Sequence, residues 1–417
     1  MKHFGSVLLM DIGTRKIRTA VVEARDEFSL DISHLGEYQS DGFNCGAVSD
    51  LECTSESISI AINETRKQTG IRKFKEIWVG HSGCHIRSDN IAEIQSIAHN
   101  RVVTERFENR MNQRVMHHVP ADHYLLHTFH RSSTIDGITR RSAVGLTGSR
   151  LVSSFHLVYT RLAVINNIQN AFNKAGYSVD KFVFNGYAAS LSVLESDEKA
   201  MGCMVIHIGS TTCDYIVYQE GQPFLCGSIN EGWSRLAKDV AVGVQIPMDR
   251  AENLILSDGC TSDILIAEDR PLNVKTFFGS PSRLTRRHLA KILSAAADEI
   301  LCGIRDNLKG TICRGHLPAG VILTGGGAVT NGLVYSAENV FGVTSRIGDP
   351  LMPGQTRDYD PSWAPVIGLI RMALLEFQPS VRPETMWEYL SYPFISMWIH
   401  MFPNPKDPVE PEGEPSI

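Results

Sequence analysis

Three short turns carry most of the residues in this chain that could do chemistry. Asp11-Ile12-Gly13-Thr14-Arg15-Lys16 follows the apolar run at 7–10 and precedes another at 17–22, so it reads as a hairpin tip. Gly209-Ser210-Thr211-Thr212 sits the same way between 205–208 and 216–218, with Asp214 at the mouth of the returning strand. Thr324-Gly325-Gly326-Gly327-Ala328 follows a strand at 321–323 and leads to a helix beginning at Asn331-Gly332-Leu333. Glycine permits tight turns, and clustered backbone N–H groups with hydroxyls suit the oxygens of a phosphate chain. A helix N-terminus behind a glycine turn adds to the same preference. Asp11, at a strand end, is placed to hold magnesium through water as a hard oxygen ligand. Taken singly, the first two turns also fit ordinary hairpins, the first with a solvated Lys16; a set of three points to a nucleotide.

These turns need strands to hold them and helices to cover the strands. Residues 55–69 place Ile58, Ala61, Ile62 and Thr65 at helical spacing, and Gly70 can stop the helix. A strand at 77–79 ends in Gly80-His81-Ser82-Gly83. From 86 to 159 short alternating runs suggest an inserted subdomain of strands with one helix. It holds His117, His118, His123, His127 and His130. The His123–His127 spacing would suit a metal on a helix, but Pro120 and the alternation favour strands. Helices are expected at 165–175, 186–194, 249–256, 284–308 and 364–375, and a strand at 182–184. Ala188, Ala189 and Ser190 would let the second of these helices approach a neighbour closely, as a hinge helix between halves. Gly232 precedes a further helix carrying Leu236, Val240 and Ala241, and is counted with the nucleotide-binding candidates.

At 417 residues the chain can form two to four domains or subdomains. Its hydrophobic share of 43% and charged share of 21% are those of an ordinary globular protein. A net charge of -6 argues against nucleic acid as a partner. The nine scattered cysteines, without a Cys-x-x-Cys pair, suit a reducing compartment, and the short apolar run at the start is no signal peptide. A cytosolic protein is expected.

Taken in order, the motifs resemble the bacterial cell-division family FtsA, of the actin-like ATPase clan, from residue 7 to about 375. They are DIGTRKIRTAVVE, GHSGCHI, RVMHHVPADHYLLH, AVGLTGSRLVSSFHLVYT, NGYAASLSVL, HIGSTTCDYIVY and VILTGGGAVTNGL. The resemblance implies an α/β, actin-like two-lobed fold with duplicated RNase H-like cores and the family's inserted α+β subdomain. The expected divisions are 1–80, the insertion 81–160, 161–199, 200–233, 234–309, 310–378 and a tail, 379–417. It places Gly13, Thr14 and Lys16 on a first phosphate loop and Gly209, Ser210, Thr211 and Thr212 on a second. Gly325, Gly326 and Gly327 fall on an adenosine loop, and Glu252 on a nucleotide-side helix. ATP and Mg2+ are the implied cofactors. The implied partners are the C-terminal tail of tubulin-like FtsZ filaments, further copies of the chain, the cytoplasmic face of the cell membrane at the division site, and late division proteins.

Departures from the family pattern bear on activity. The second loop has His207 where the family has aspartate, and Ser210 and Thr211 where it has glycines. An imidazole coordinates magnesium poorly. With Asp11 and Asp214 as the candidates for any catalytic part, nucleotide binding with slow or absent hydrolysis is expected. Ile255 stands where the family usually has a lysine. Ser294-Ala295-Ala296-Ala297 replaces its basic FtsZ-tail contact, leaving Arg286, Arg287 and Lys291 to meet an acidic tail. In the tail, Met386, Leu390, Phe394, Met397 and Met401 line one side, with Trp387, Trp398 and Phe402 beside them. No lysine or arginine lies between Arg382 and Lys406, so membrane insertion would rely on aromatic and aliphatic burial. The segment is short for a spanning helix and contains Pro393. Docking on protein is the other use of such a surface. A platform protein of type IV pilus assembly shares the fold and is the alternative function; it usually lacks an apolar tail.

Overall fold

The computed structural model describes residues 6–24, 30–97, 101–279, 282–308, 317–353 and 359–377. Two five-stranded sheets dominate it, and they have the same topology. The first runs, edge to edge, Leu30–Gln39, Lys16–Ala24, Val7–Ile12, Glu76–His81, Lys181–Phe184. The second runs Gln222–Ile229, Cys213–Gln219, Cys203–Ile208, Val321–Thr324, Ser345–Ile347. In each, three antiparallel strands consecutive in the chain are followed by two parallel ones. The chain has built one core twice.

The central strands show why. Cys203–Ile208 is buried along its whole length. Val205 belongs to the core that contains the first sheet, while Met204, Ile206 and Ile208 belong to the core of the second lobe. Alternate side chains thus face opposite layers, and a strand covered on both sides reads as a continuous apolar run. The second lobe's core is closed by helices Trp233–Val244, Arg286–Leu308 and Leu333–Phe341, which contribute Leu236, Val240, Leu293, Ile300, Leu333 and Ala337.

Helix Leu51–Thr69 begins one turn earlier than its apolar spacing suggests, because Asp50 caps it by accepting from the Cys53 N–H at 3.0 Å. It stops at Gly70, whose φ of 74° is left-handed. Helix Asn185–Val193 lies against Ala364–Phe377. A methyl group on Gly368 would come within 1.7 Å of the Ala188 carbonyl oxygen. The missing side chain at Gly368 thus lets the two helices approach closely at Ala188.

Between the first-lobe strands, Arg87–Ser96, Arg150–Arg161, His123–Ile135 and Ile138–Arg140 form a separate four-stranded sheet covered by helix Glu105–Val115. Its strand Arg87–Ser96 reaches the edge strand of the second lobe: Ser88 Oγ donates to the Cys226 carbonyl at 2.7 Å, and Asn90 Nδ2 to that of Phe224 at 2.9 Å. His123, His127 and His130 lie on a strand, and among the described residues no group of three or more His, Cys, Asp or Glu side chains could hold a metal. His127 instead accepts the Phe184 N–H at 2.9 Å, and His130 meets Ser133 at 3.0 Å. No helix among the described residues is long and apolar enough to cross a membrane. The apolar segment from Met386 to Phe402 lies outside the described residues.

Candidate functional site

The three turns meet at one cavity of about 520 Å³ between the two lobes. That is within the range of roughly 300–1,000 Å³ usual for small-molecule sites. Asp11, Gly13, Thr14 and Lys16 line it from the first hairpin, Gly209, Ser210 and Thr212 from the second, Gly326 and Gly327 from the third turn. Asn331, Ile255 and Leu256 line the second-lobe wall, and Asp360 and Ser362 also border the space.

Each hairpin tip is closed by its own backbone. Gly13 N–H donates to the Lys16 carbonyl at 3.0 Å, and Gly209 N–H to that of Thr212 at 2.8 Å. The tips touch across the cleft, with Thr14 Oγ1 and Thr211 Oγ1 2.6 Å apart. Thr211 Oγ1 also accepts the Cys45 N–H at 3.2 Å, so Thr211 serves the lobe contact and does not line the cavity. Ser210 lines the cavity, and its Oγ is buried without a hydrogen-bond partner. An orphaned hydroxyl beside turn N–H groups suits a phosphate oxygen.

Other expected site residues stand one layer back. Gly232 carries no lining atom, because the phosphate turn packs on it: a methyl there would fall 2.7 Å from the Gly209 carbonyl oxygen. The Trp233 and Ser234 N–H groups donate to the carbonyls of Gly209 and Ser210 at 3.0 and 2.8 Å, so this helix start braces the turn. Gly325 has a φ of +91° and crosses over the end of the central strand, 2.5 Å separating its ideal Cβ from the Ile208 carbonyl oxygen. Helix Leu333–Phe341 follows only after further turns at 329–332. Glu252, outside the lining, pairs with Arg15, whereas Lys16, which lines the cavity and is half exposed, pairs with Glu37.

Asp214 is not at the mouth of its strand. The turn closes at Thr212, so Asp214 is the second residue of Cys213–Gln219, paired in register with His207 and fully buried. It anchors a chain of contacts along the cleft floor. Ser82 Oγ donates to Asp214 Oδ2 at 2.6 Å, Asn185 Nδ2 to Ser82 Oγ at 3.0 Å, and the same Nδ2 to Asp11 Oδ1 at 2.8 Å. His207 Nδ1 lies 3.4 Å from Asp214 Oδ2. Burial pushes the Asp11 carboxyl above its ordinary value, opposed by the charges of His207 and Arg18 and by the Asn185 hydrogen bond. Arg18 itself donates to Ser362 at 2.8 Å, pairs with Glu37 at 2.9 Å and lies over the Trp363 ring.

Ser82, Asn185, Arg18 and Ser362 were not singled out by sequence. Ser82 and Asn185 stand inside two of the quoted motifs, the only signal available, since their partners are more than a hundred residues away. The donor set suits a triphosphate better than a divalent cation. One oxygen of each floor carboxylate accepts from a protein donor, Asp214 Oδ1 is buried without a partner, and an imidazole stands beside them.

The family model "Cell division protein FtsA" matches residues 204–368. FtsA of Escherichia coli K12 is 29% identical over 87% of this chain and 89% of its own length. Figures for the Pseudomonas aeruginosa protein are 29%, 88% and 88%, and for that of Borreliella burgdorferi 27%, 87% and 89%. Among solved structures, the PilM–PilN type IV pilus biogenesis complex superposes with a TM-score of 0.61 at 13% identity, covering 88% of this chain and 98% of that one. MreB5 of Spiroplasma citri, bound to ADP, gives 0.55 at 12%, covering 89% and 96%. The structures establish an actin-like fold. The family model and the relatives bear out the resemblance to FtsA.

Proposed function

We propose, for a chain whose relatives along nearly nine-tenths of its length are FtsA cell-division proteins, that it is an ATP-binding adaptor of the division ring. It holds filaments of tubulin-like FtsZ at the cytoplasmic face of the cell membrane, assembles on itself and recruits later division proteins. The observation that carries the nucleotide reading is the convergence of three turns on one cleft, with Ser210 Oγ unpartnered beside it. Gly13, Thr14, Lys16, Gly209, Ser210 and Thr212 would take the phosphates, and Ile255, Leu256 and Gly327 would border the nucleoside. Ile255 offers that end of the ligand apolar contact in place of a charged donor.

Hydrolysis is slow or absent in this reading. Attack on the terminal phosphate needs an oriented water and charge neutralisation. Asp214 is turned into the protein, held by Ser82, and His207 occupies the matching place on the floor. Nucleotide then acts as cement: a ligand at a hundred times its Kd adds about 2.7 kcal/mol to the folded state. The two lobes it would join already touch through Thr14 and Thr211.

Co-sedimentation of purified protein with ATP, lipid vesicles and an FtsZ tail peptide tests the reading. ATP-dependent pelleting together with peptide supports it; no peptide in any pellet sinks the adaptor role and favours the pilus-platform alternative, which the PilM likeness supports at the level of fold. Flotation with and without residues 384–417 tests the anchor, and equal flotation excludes it.

A further inference from the structure

The two hairpins facing each other across the cleft are equivalent in register, with the acidic and basic residue types in opposite order. Asp11 pairs with Arg18 in the first; His207 pairs with Asp214 in the second. One offers a carboxylate backed by a guanidinium, the other an imidazole backed by a carboxylate. Magnesium between a triphosphate and protein prefers an all-oxygen octahedral shell, its few protein ligands being carboxylates.

This floor provides little of that. Asp11 Oδ1 accepts from Asn185 at 2.8 Å, and Asp214 Oδ2 from Ser82 at 2.6 Å. Asp214 has no exposed surface. The chain supplies its own cations: Arg15, Lys16 and Arg18 line the cavity with His207. Glu252 and Glu37, which pair with these cations, lie outside the lining. The side chains of Arg15 and Lys16 are 46% and 50% exposed, so both can turn to phosphate oxygens, where charge-assisted hydrogen bonds are strong.

We propose that this cleft binds its nucleoside triphosphate without a divalent cation, Arg15, Lys16 and His207 taking the position that a metal would fill between phosphates and protein. The proposal rests on the nucleotide reading above and adds what form of nucleotide the site accepts.

The test is an equilibrium titration of the full chain with a fluorescent ATP analogue, in excess magnesium and in excess EDTA. The two dissociation constants should agree within about threefold. His207→Asp puts a third carboxylate at the floor; its affinity in EDTA should fall about tenfold or more and recover with magnesium. His207→Asn, which adds no charge and guards against a folding defect, should bind equally in both buffers. Wild-type affinity at least about tenfold weaker in EDTA than in magnesium would overturn the proposal while leaving nucleotide binding intact. Absence of binding in both buffers would refute the nucleotide reading itself, and the proposal with it.

Discussion

Replacing Asn185 by alanine should damage the cleft floor more than its single side chain suggests. Its amide Nδ2 donates to Asp11 Oδ1 at 2.8 Å and to Ser82 Oγ at 3.0 Å, and Ser82 in turn holds Asp214. The neighbouring strand is shaped around this amide, since a methyl on Gly80 would lie 2.0 Å from Asn185 Oδ1. A hydrogen bond to a charged acceptor contributes about 1.5–3 kcal/mol, and a buried acceptor left unmet costs about 1–3. These overlap, so Asn185→Ala should destabilise by about 2–4 kcal/mol. The assay is urea unfolding followed by circular dichroism, on wild type, Asn185→Ala, Asp11→Asn and the double variant. With Asp11 neutralised, losing the amide should cost only about 1 kcal/mol, the worth of a neutral hydrogen bond. A single-variant cost below about 0.5 kcal/mol, or additivity within that margin, would refute the reasoning.

Acid should weaken the fold through three buried histidines. Burial holds His127 and His156 down at about 3 and His81 at about 4, against 6.5 when exposed. The unfolded chain therefore binds more protons between these values, so stability is full above pH 6.5 and falls as pH drops. At about pH 5 each histidine accounts for about 2 kcal/mol, about 6 together. Thermal melts from pH 7.5 to 5 should show a steep fall in Tm, and a flat profile would contradict the burial argument. Gly368→Ala should destabilise by about 3 kcal/mol or more, because its methyl meets the backbone carbonyl of Ala188 and no flexible side chain can yield. An unchanged Tm would show that the two helices separate without loss.

Much of the fold was legible because the chain's strands are apolar and its turns are rich in glycine and hydroxyls. The two hairpins, the strand before Gly325 and the helix ending at Gly70 follow from local chemistry. The start of helix Leu51–Thr69 was less legible, since a cap at Asp50, rather than periodicity, sets it. Asp214 could not be placed from spacing: only the closing bond at Thr212 shows that it belongs to the strand and points inward. Likewise, nothing in the spacing shows that Glu252 pairs with Arg15 or that Gly232 packs against the Gly209 carbonyl. Asn185 and Ser82 gave no chemical signal of their own, because what makes them matter is the meeting of distant segments.

The clasp of a triphosphate by the three turns is tested most directly at Gly326. Its ideal Cβ would lie 3.5 Å from Ser362 Cβ, an ordinary contact, and the glycine faces the cavity. Gly326→Val should therefore fold with an unchanged Tm yet fill space the ligand needs. Titration with a fluorescent ATP analogue should give an affinity at least about tenfold weaker than wild type. Equal affinity in a folded Gly326→Val protein would mean that nucleotide, if it binds at all, is held somewhere other than between these lobes.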